Sequence, residues 1–282
     1  MIAFIGMGLL GSNFTKALLK RGEKVQVWNR TFEKAKALEA DGAKAFENIE
    51  DAVRGVKRIH ITLSDDAIVD AVLAQAAPAL EAGAVIIDHT TTSVEGAVNR
   101  TQSWAAKNIT YVHVPVFMGP ANALESSGVM LISGSPSIAA NVLPMIEPMT
   151  GKVLNLGDKT GQAAGIKLLG NMFLLTLTGG FSDMLATAKS MGIASSGITD
   201  LFKEWNPGAM APARLNRLLA ADYDNPSWEL QMARKDARLM IEEAARGNRT
   251  LTVIPAIADE MDKWLAKGFA HKDWSVIASD NL

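Results

Sequence analysis

Short, uniformly apolar runs alternate with amphipathic stretches through the first half of the chain. Residues 2–5 are all apolar and predict a buried strand; a glycine-rich turn follows, then helical spacing over 12–21 that Gly22 stops. The same order recurs as a strand at 25–28 and a helix at 32–40 that ends at Gly42. β-Branched runs at 58–63, 84–87, 109–112, 129–133 and 153–156 predict further strands, and helical patterns separate most of them, including 67–77 and 94–107. Strands this apolar, alternating with helices, predict a mostly parallel sheet covered on both faces.

The character changes near Gly157. Thr160 is placed to cap a helix, and 162–191 contains no proline and reads as one long helix, although Gly165, Gly170, Gly179 and Gly180 lower its propensity. Glycines permit close packing, so this helix is expected to be buried between domains or subunits. Later helices are predicted at 199–203, 214–220, 228–246 and 255–267, with 250–254 ambiguous between strand and coil. The expected organisation is an α/β domain over 1–157 and an all-helical domain over 158–282, the latter opened by a long interdomain helix at 161–191.

Composition adds mainly exclusions. The 282 residues are 48% hydrophobic and 21% charged with net charge −2, which is ordinary for a globular protein and argues against nucleic-acid or polybasic membrane binding. Without cysteine there is no disulfide, thiol nucleophile or cysteine-ligated metal. His60, His89, His113 and His271 are scattered, so no metal site is expected. The N-terminal stretch lacks a basic start and a small-residue cleavage site, and no uninterrupted apolar run reaches membrane length. A cytoplasmic protein is expected.

The turn after the first strand, Gly6-Met7-Gly8-Leu9-Leu10-Gly11, is G-x-G-x-x-G between a predicted strand and a predicted helix. Gly6 permits the tight turn, Gly8 lets backbone approach a pyrophosphate, and Gly11 lets helix pack on strand. That context predicts a Rossmann-type, doubly wound dinucleotide-binding domain. At the end of the second strand stand Trp28-Asn29-Arg30-Thr31, with no carboxylate to hold a ribose 2′-hydroxyl. Arg30 can pair with a 2′-phosphate while Asn29 and Thr31 donate hydrogen bonds, so NADP(H) is the expected cofactor.

Lys167 and Asn171 stand four apart in the long helix and share one face among apolar and small residues. Spacing alone leaves two readings open. One is a structural pair whose lysine snorkels to solvent. The other is a desolvated lysine with a lowered pKa, able to donate or accept a proton near neutral pH.

These motifs together resemble the 3-hydroxyacid dehydrogenase family, which includes hydroxyisobutyrate dehydrogenases and glyoxylate/succinic semialdehyde reductases and is related to 6-phosphogluconate dehydrogenase. The similarity covers nearly the whole chain. IAFIGMGLLGSNFTKALLKRG resembles the opening signature and VWNRT the NADP-type strand end. Leu63 and Ser64 stand where the family's loop lies against the cofactor, and Asp88-His89-Thr90-Thr91 is similar to D-x-S-T, which implies that Thr91 touches the nicotinamide end. GQAAGIKLLGN is similar to G-x-G-x-x-x-K-x-x-x-N, which implies a catalytic Lys167 and a substrate-orienting Asn171. Lys235-Asp236 resembles a C-terminal pair, and implies that Lys235 borders the cofactor and active site. The resemblance implies reduction of a small carbonyl compound, or the reverse oxidation, by a homo-oligomer (dimer or tetramer).

One segment departs from the pattern. Where the family reads roughly D-A-P-V-S-G-G, this chain has His113-Val114-Pro115-Val116-Phe117-Met118-Gly119. Phe117 and Met118 replace a serine and glycine that hold a substrate carboxylate, and suit an apolar or larger substrate in contact with Phe117, Met118 and Gly119. His113 is expected to be a satisfied polar residue at a strand end, and no role in chemistry is assigned to it or to Asp183. Trp205, Trp228, Trp264 and Trp274 are expected in the core or at a subunit interface. Two alternatives remain: an imine reductase, whose members usually carry aspartate or tyrosine where Lys167 stands, and a non-catalytic NADPH-binding protein.

Overall fold

Nine strands form two sheets in the computed structural model, which describes residues 1–282. β1 (Ile2–Ile5), β2 (Val25–Trp28), β3 (Lys44–Phe46), β4 (Arg58–Ile61), β5 (Val85–Asp88) and β6 (Thr110–His113) pair in parallel in the order β3-β2-β1-β4-β5-β6. β7 (Val116–Phe117), β8 (Val129–Ile132) and β9 (Lys152–Asn155) form a separate sheet in which β7 runs antiparallel and β9 parallel to β8. The Rossmann-type expectation holds, with the last two predicted strands in the second sheet. β3 and β7 were not predicted, because three and two residues are too few to show a period.

Five helices connect the strands of the first sheet: α1 (Leu9–Lys20), α2 (Phe32–Lys36), α3 (Ile49–Val53), α4 (Asp66–Ala76) and α5 (Val94–Ala105). α6 (Pro120–Glu125) and α7 (Pro136–Ile146) connect those of the second. α1 opens inside the glycine motif, ahead of the predicted start at 12, and α2 gives way to a 3-10 turn over Ala37–Asp41. The uniform apolarity of β1 is explained by its two faces: Ile2 and Phe4 join one core with Phe14, Val27 and Ile87, while Ala3 and Ile5 join another with Ile59, Ile61 and Trp104.

A polar chain lies buried in this domain. Arg58 Nε donates to His60 Nε2 (2.9 Å), His60 Nδ1 to His89 Nε2 (2.9 Å), and His89 Nδ1 to the Val114 carbonyl (2.8 Å). Arg58 can only donate and the carbonyl can only accept, so both rings carry their proton on Nδ1. Burial holds His60 well below the usual histidine range and brings His89 down to about 4.

The chain divides into two compact units, Met1–Asn171 and Met172–Leu282. The long helix forms as one element, α8 (Gln162–Ser190). Thr160 is not its cap: Gly161 precedes the first turn at φ +85°, and the Ala163 amide donates to Ser133 Oγ (2.9 Å) instead. α9 (Ser195–Glu204), α10 (Ala211–Ala220), α11 (Leu230–Arg246) and α12 (Val253–Ala266) complete the second unit. Segment 250–254 forms no strand. The amides of Thr252, Val253 and Ile254 all donate to Asp183 (2.7, 2.7 and 2.9 Å), so Asp183 caps α12. The second unit's core is small: Leu230, Ala233, Met261, Trp264 and Val276.

Much of the second-unit part of α8 is exposed, although Asp183 and Ala188 are buried. Met172, Phe173, Leu174 and Leu175 are all exposed, Leu175 by 74%. By length and composition α8 could also cross a membrane, because leucine and phenylalanine are spread among glycine, alanine and threonine rather than gathered in one run. Asn171, Thr176, Thr178 and Ser182 break its apolar positions, so it is not an uninterrupted apolar run and meets the threshold for spanning only by mean hydropathy.

Candidate active site

The carboxyl ends of β1 and β4 mark the point where the strand order reverses, which is where open parallel sheets bind ligands. Gly6 follows β1 with φ +95°, and a Cβ there would overlap the Thr62 carbonyl, so only glycine makes this turn. A Cβ on Gly11 would strike the Gly6 carbonyl, which fixes the close approach of α1 to the turn. Gly8, in contrast, faces open space. It is the N-cap of α1, with no side-chain cap bond and no acidic residue in the first turn. An uncapped twelve-residue helix start behind a glycine turn fits the pyrophosphate of a dinucleotide.

The predicted neighbours of that turn come together. Met7 is buried and its amide donates to Asn29 Oδ1 (2.9 Å), which ties the glycine turn to the end of β2. Asn29 Nδ2 donates to the Thr31 carbonyl (2.9 Å), so both ends of this side chain hold the loop in shape. Arg30 and Thr31 are exposed, and Arg30 has no ion-pair partner within 4.0 Å. Leu63 Cδ2 lies 3.0 Å from where a Cβ on Gly6 would stand, and the Leu63 amide donates to Thr90 Oγ1 (2.9 Å). Leu9, Ser64 and Thr91 are exposed beside this edge, and Leu10 is half-buried.

Asp88 anchors the loop after β5. It is fully buried, accepts from the Thr90 amide (2.8 Å) and from Tyr111 Oη (2.5 Å), and Tyr111 accepts from Arg100 Nε (3.0 Å). Its part is structural, holding Thr90 and Thr91 at the sheet edge. His113 Nε2 faces the Thr90 carbonyl (2.8 Å) and Thr92 Oγ1 (3.2 Å), while Nδ1 is buried without a partner, so His113 is only partly satisfied.

Lys167 projects from the first turns of α8, still within the first unit. It is 9% exposed, and no carboxylate lies within 4.0 Å of its ammonium. Nζ sits 4.3 Å from the centroid of the Phe117 ring, and burial lowers the lysine pKa from its ordinary value. Asn171 is half-buried and makes no hydrogen bond to Lys167. A Cβ on Gly170 would overlap the Phe117 ring, so Gly170 is what lets the ring lie against the helix.

The rest of the substrate segment behaves differently from Phe117. Met118 packs on the first core, with its Cγ 2.9 Å from where a Cβ on Gly128 would stand. The Gly119 amide donates to Asn122 Oδ1 (2.9 Å) at the start of α6, and Asn122 Nδ2 donates to Ser127 Oγ (3.0 Å). Asn122 and Gly170 were missed by the sequence reading. Gly119-Pro120-Ala121-Asn122 carries a legible signal for the first, since proline at the first helical position and an amide side chain two later mark a helix start. Lys235 lies in the second unit, where its Nζ pairs with Asp236 (2.8 Å).

The chain is similar over nearly its whole length to several known proteins. Residues 1–157 match the NAD binding domain of 6-phosphogluconate dehydrogenase. Glyoxylate/succinic semialdehyde reductase 1 of Arabidopsis thaliana is 26% identical over 98% of this chain and 96% of its own length. The NAD-dependent L-serine dehydrogenase of Pseudomonas aeruginosa is also 26% identical, again over 98% and 96%. Among solved structures, an imine reductase from Myxococcus stipitatus in complex with NADP+ shares the fold with a TM-score of 0.90, 20% identity and 99% coverage of both chains. The chain belongs to the 3-hydroxyacid dehydrogenase family, built on the NAD binding domain of 6-phosphogluconate dehydrogenase, and is an NAD(P)-dependent oxidoreductase.

Proposed function

We propose that this protein transfers a hydride between NADP(H) and a small aldehyde or ketone, or the corresponding alcohol, with Lys167 as general acid and base. The observation that carries this reading is the buried, unpaired ammonium of Lys167. Bound NADPH would supply the hydride. As charge develops on the carbonyl oxygen, Lys167 gives it a proton, and in the oxidative direction the neutral amine takes the proton back. No carboxylate competes for that proton. Asn171, one turn on along the same helix face, would orient the substrate.

Arg30 supports NADP(H) over NAD(H). It is exposed after the end of β2, next to the exposed Thr31 in the chain, and a charge-assisted bond to a 2′-phosphate is worth about 1.5–3 kcal/mol. Phe117 and the engaged Gly119 amide support uncharged carbonyl substrates over carboxylate-bearing ones, since neither offers a free donor. The exposed apolar length of α8 supports a homo-oligomer in which a second copy covers it. The cysteine-free composition is in keeping with the cytoplasm.

The test is NADPH consumption by the purified protein with semialdehydes, uncharged aldehydes and ketones, and cyclic imines. Turnover of carbonyl compounds that Lys167→Ala abolishes, with NADPH binding retained, supports the reading; turnover unchanged by that substitution removes it. Imine reduction is the second reading, favoured by the apolar ring of Phe117 and by the shared fold of the Myxococcus stipitatus enzyme. Its mark is imine turnover that survives Lys167→Ala.

A further inference from the structure

We propose that Phe117 is a positioning residue for Lys167, the face of its ring seating the ammonium in place of a carboxylate. This rests on the acid–base reading of Lys167 above and adds the means by which the charge is held. A buried ammonium needs a compensating partner, because desolvation penalises the charged form. A carboxylate would compensate it but would also hold the proton and weaken Lys167 as an acid. An aromatic face attracts a cation through its quadrupole and accepts no proton.

Several observations converge on this arrangement. Lys167 Nζ lies 4.3 Å from the ring centroid, within the range of a direct cation–π contact. Phe117 stands on β7, whose partner β8 fixes its register through the Phe117–Val129 pair. The tip of the ring lies against α8, where any side chain on Gly170 would overlap it. Gly170 and Lys167 lie three residues apart on one face of α8, so the helix that carries the ammonium also carries the gap that admits the ring. Burial lowers the lysine's pKa, and no carboxylate lies within 4.0 Å of its ammonium to offset that loss of water.

The experiment is a titration of the Lys167 Cε resonance in protein labelled with 13C at lysine Cε, without cofactor. The resonance is assigned by its loss in Lys167→Ala. Phe117→Leu and Phe117→Met keep apolar bulk but remove the π face, and each should lower the midpoint by about one pH unit. Phe117→Tyr keeps the face and should titrate within a few tenths of a unit of wild type. A midpoint unmoved or raised in both Phe117→Leu and Phe117→Met overturns the proposal. The outcome is separable from that of the proposed function. Carbonyl turnover surviving Lys167→Ala removes the function while leaving a shifted midpoint intact. An unshifted midpoint removes the seat while leaving the function intact.

Discussion

The two compact units solve the problem of burying apolar surface in opposite ways. In the first, most β-strands of the large sheet spend alternate side chains on two cores, and its parallel order leaves both faces under helices. In the second, the interior reduces to a few residues around Leu230, Met261 and Trp264, while Phe173, Leu175, Leu201, Trp205 and Leu219 remain exposed. A sheet with crossover helices closes on itself, because strand faces and helix stripes are satisfied within one stretch of chain. Helices joined end to end have no such guarantee. Their unspent apolar stripes are what a second copy would cover.

The sharpest way to break this contrast is to place charge on α8. Leu175→Asp together with Phe173→Asp should abolish self-association in analytical ultracentrifugation and lower Tm; at micromolar affinity the association lost is about 8 kcal/mol. A wild type that sediments as a monomer, or a doubly substituted protein that still associates, would show that this helix is not covered by a second copy. The chemistry of the first unit is tested by Lys167→Ala, which should cut kcat for carbonyl reduction by about 100- to 10,000-fold with NADPH affinity unchanged. The wild-type rate should also fall as pH rises through a midpoint below the usual lysine value, because reduction needs the ammonium form.

Acid should act on the first unit. In the unfolded chain His89 titrates near 6.5, and in the folded protein near 4. Below pH 6.5 the unfolded state therefore takes up a proton that the buried ring refuses. Stability is full above about 6.5 and is lost as pH falls, by about 3 kcal/mol from His89 alone once pH 4 is reached. His60 and His113, both lowered by burial, add in the same direction. Thermal unfolding at several pH values checks this, and a flat Tm from pH 7 to 4 would contradict it.

Two smaller effects sharpen the comparison further. Arg30→Ala should weaken NADPH binding about ten- to 150-fold and leave NADH binding unchanged, as read by fluorescence titration. Asp183→Ala should cost the second unit about 1–2 kcal/mol, since three amides at the start of α12 lose their acceptor. Chemical denaturation would register the loss as a lower midpoint.

How much of this was legible before folding follows from the range of each interaction. Gly6-Met7-Gly8-Leu9-Leu10-Gly11 was readable because a left-handed turn, a helix start and a close strand–helix contact are all demands on neighbouring residues. The strands with four uniformly apolar residues were readable by run length, and α8 by the absence of proline. β3 and β7 were not, because two or three residues become a strand only when a neighbour supplies the ladder. The capping of α12 by Asp183, 69 residues away from Thr252, leaves no local mark at all.

The amino-acid sequence by itself determined the dinucleotide turn, the alternation that makes a parallel sheet, the long helix and the placing of Lys167 and Asn171 on one face, since these depend on backbone preference and periodicity over a few residues. The tertiary structure alone decided that Phe117 lies under Lys167, that Met118 turns to the core, that Asn122 takes the Gly119 amide, and that two buried histidines form a directed chain. Each of these joins groups distant in the chain, and only the packed fold, by removing water and fixing distance, gives such a pair its energy.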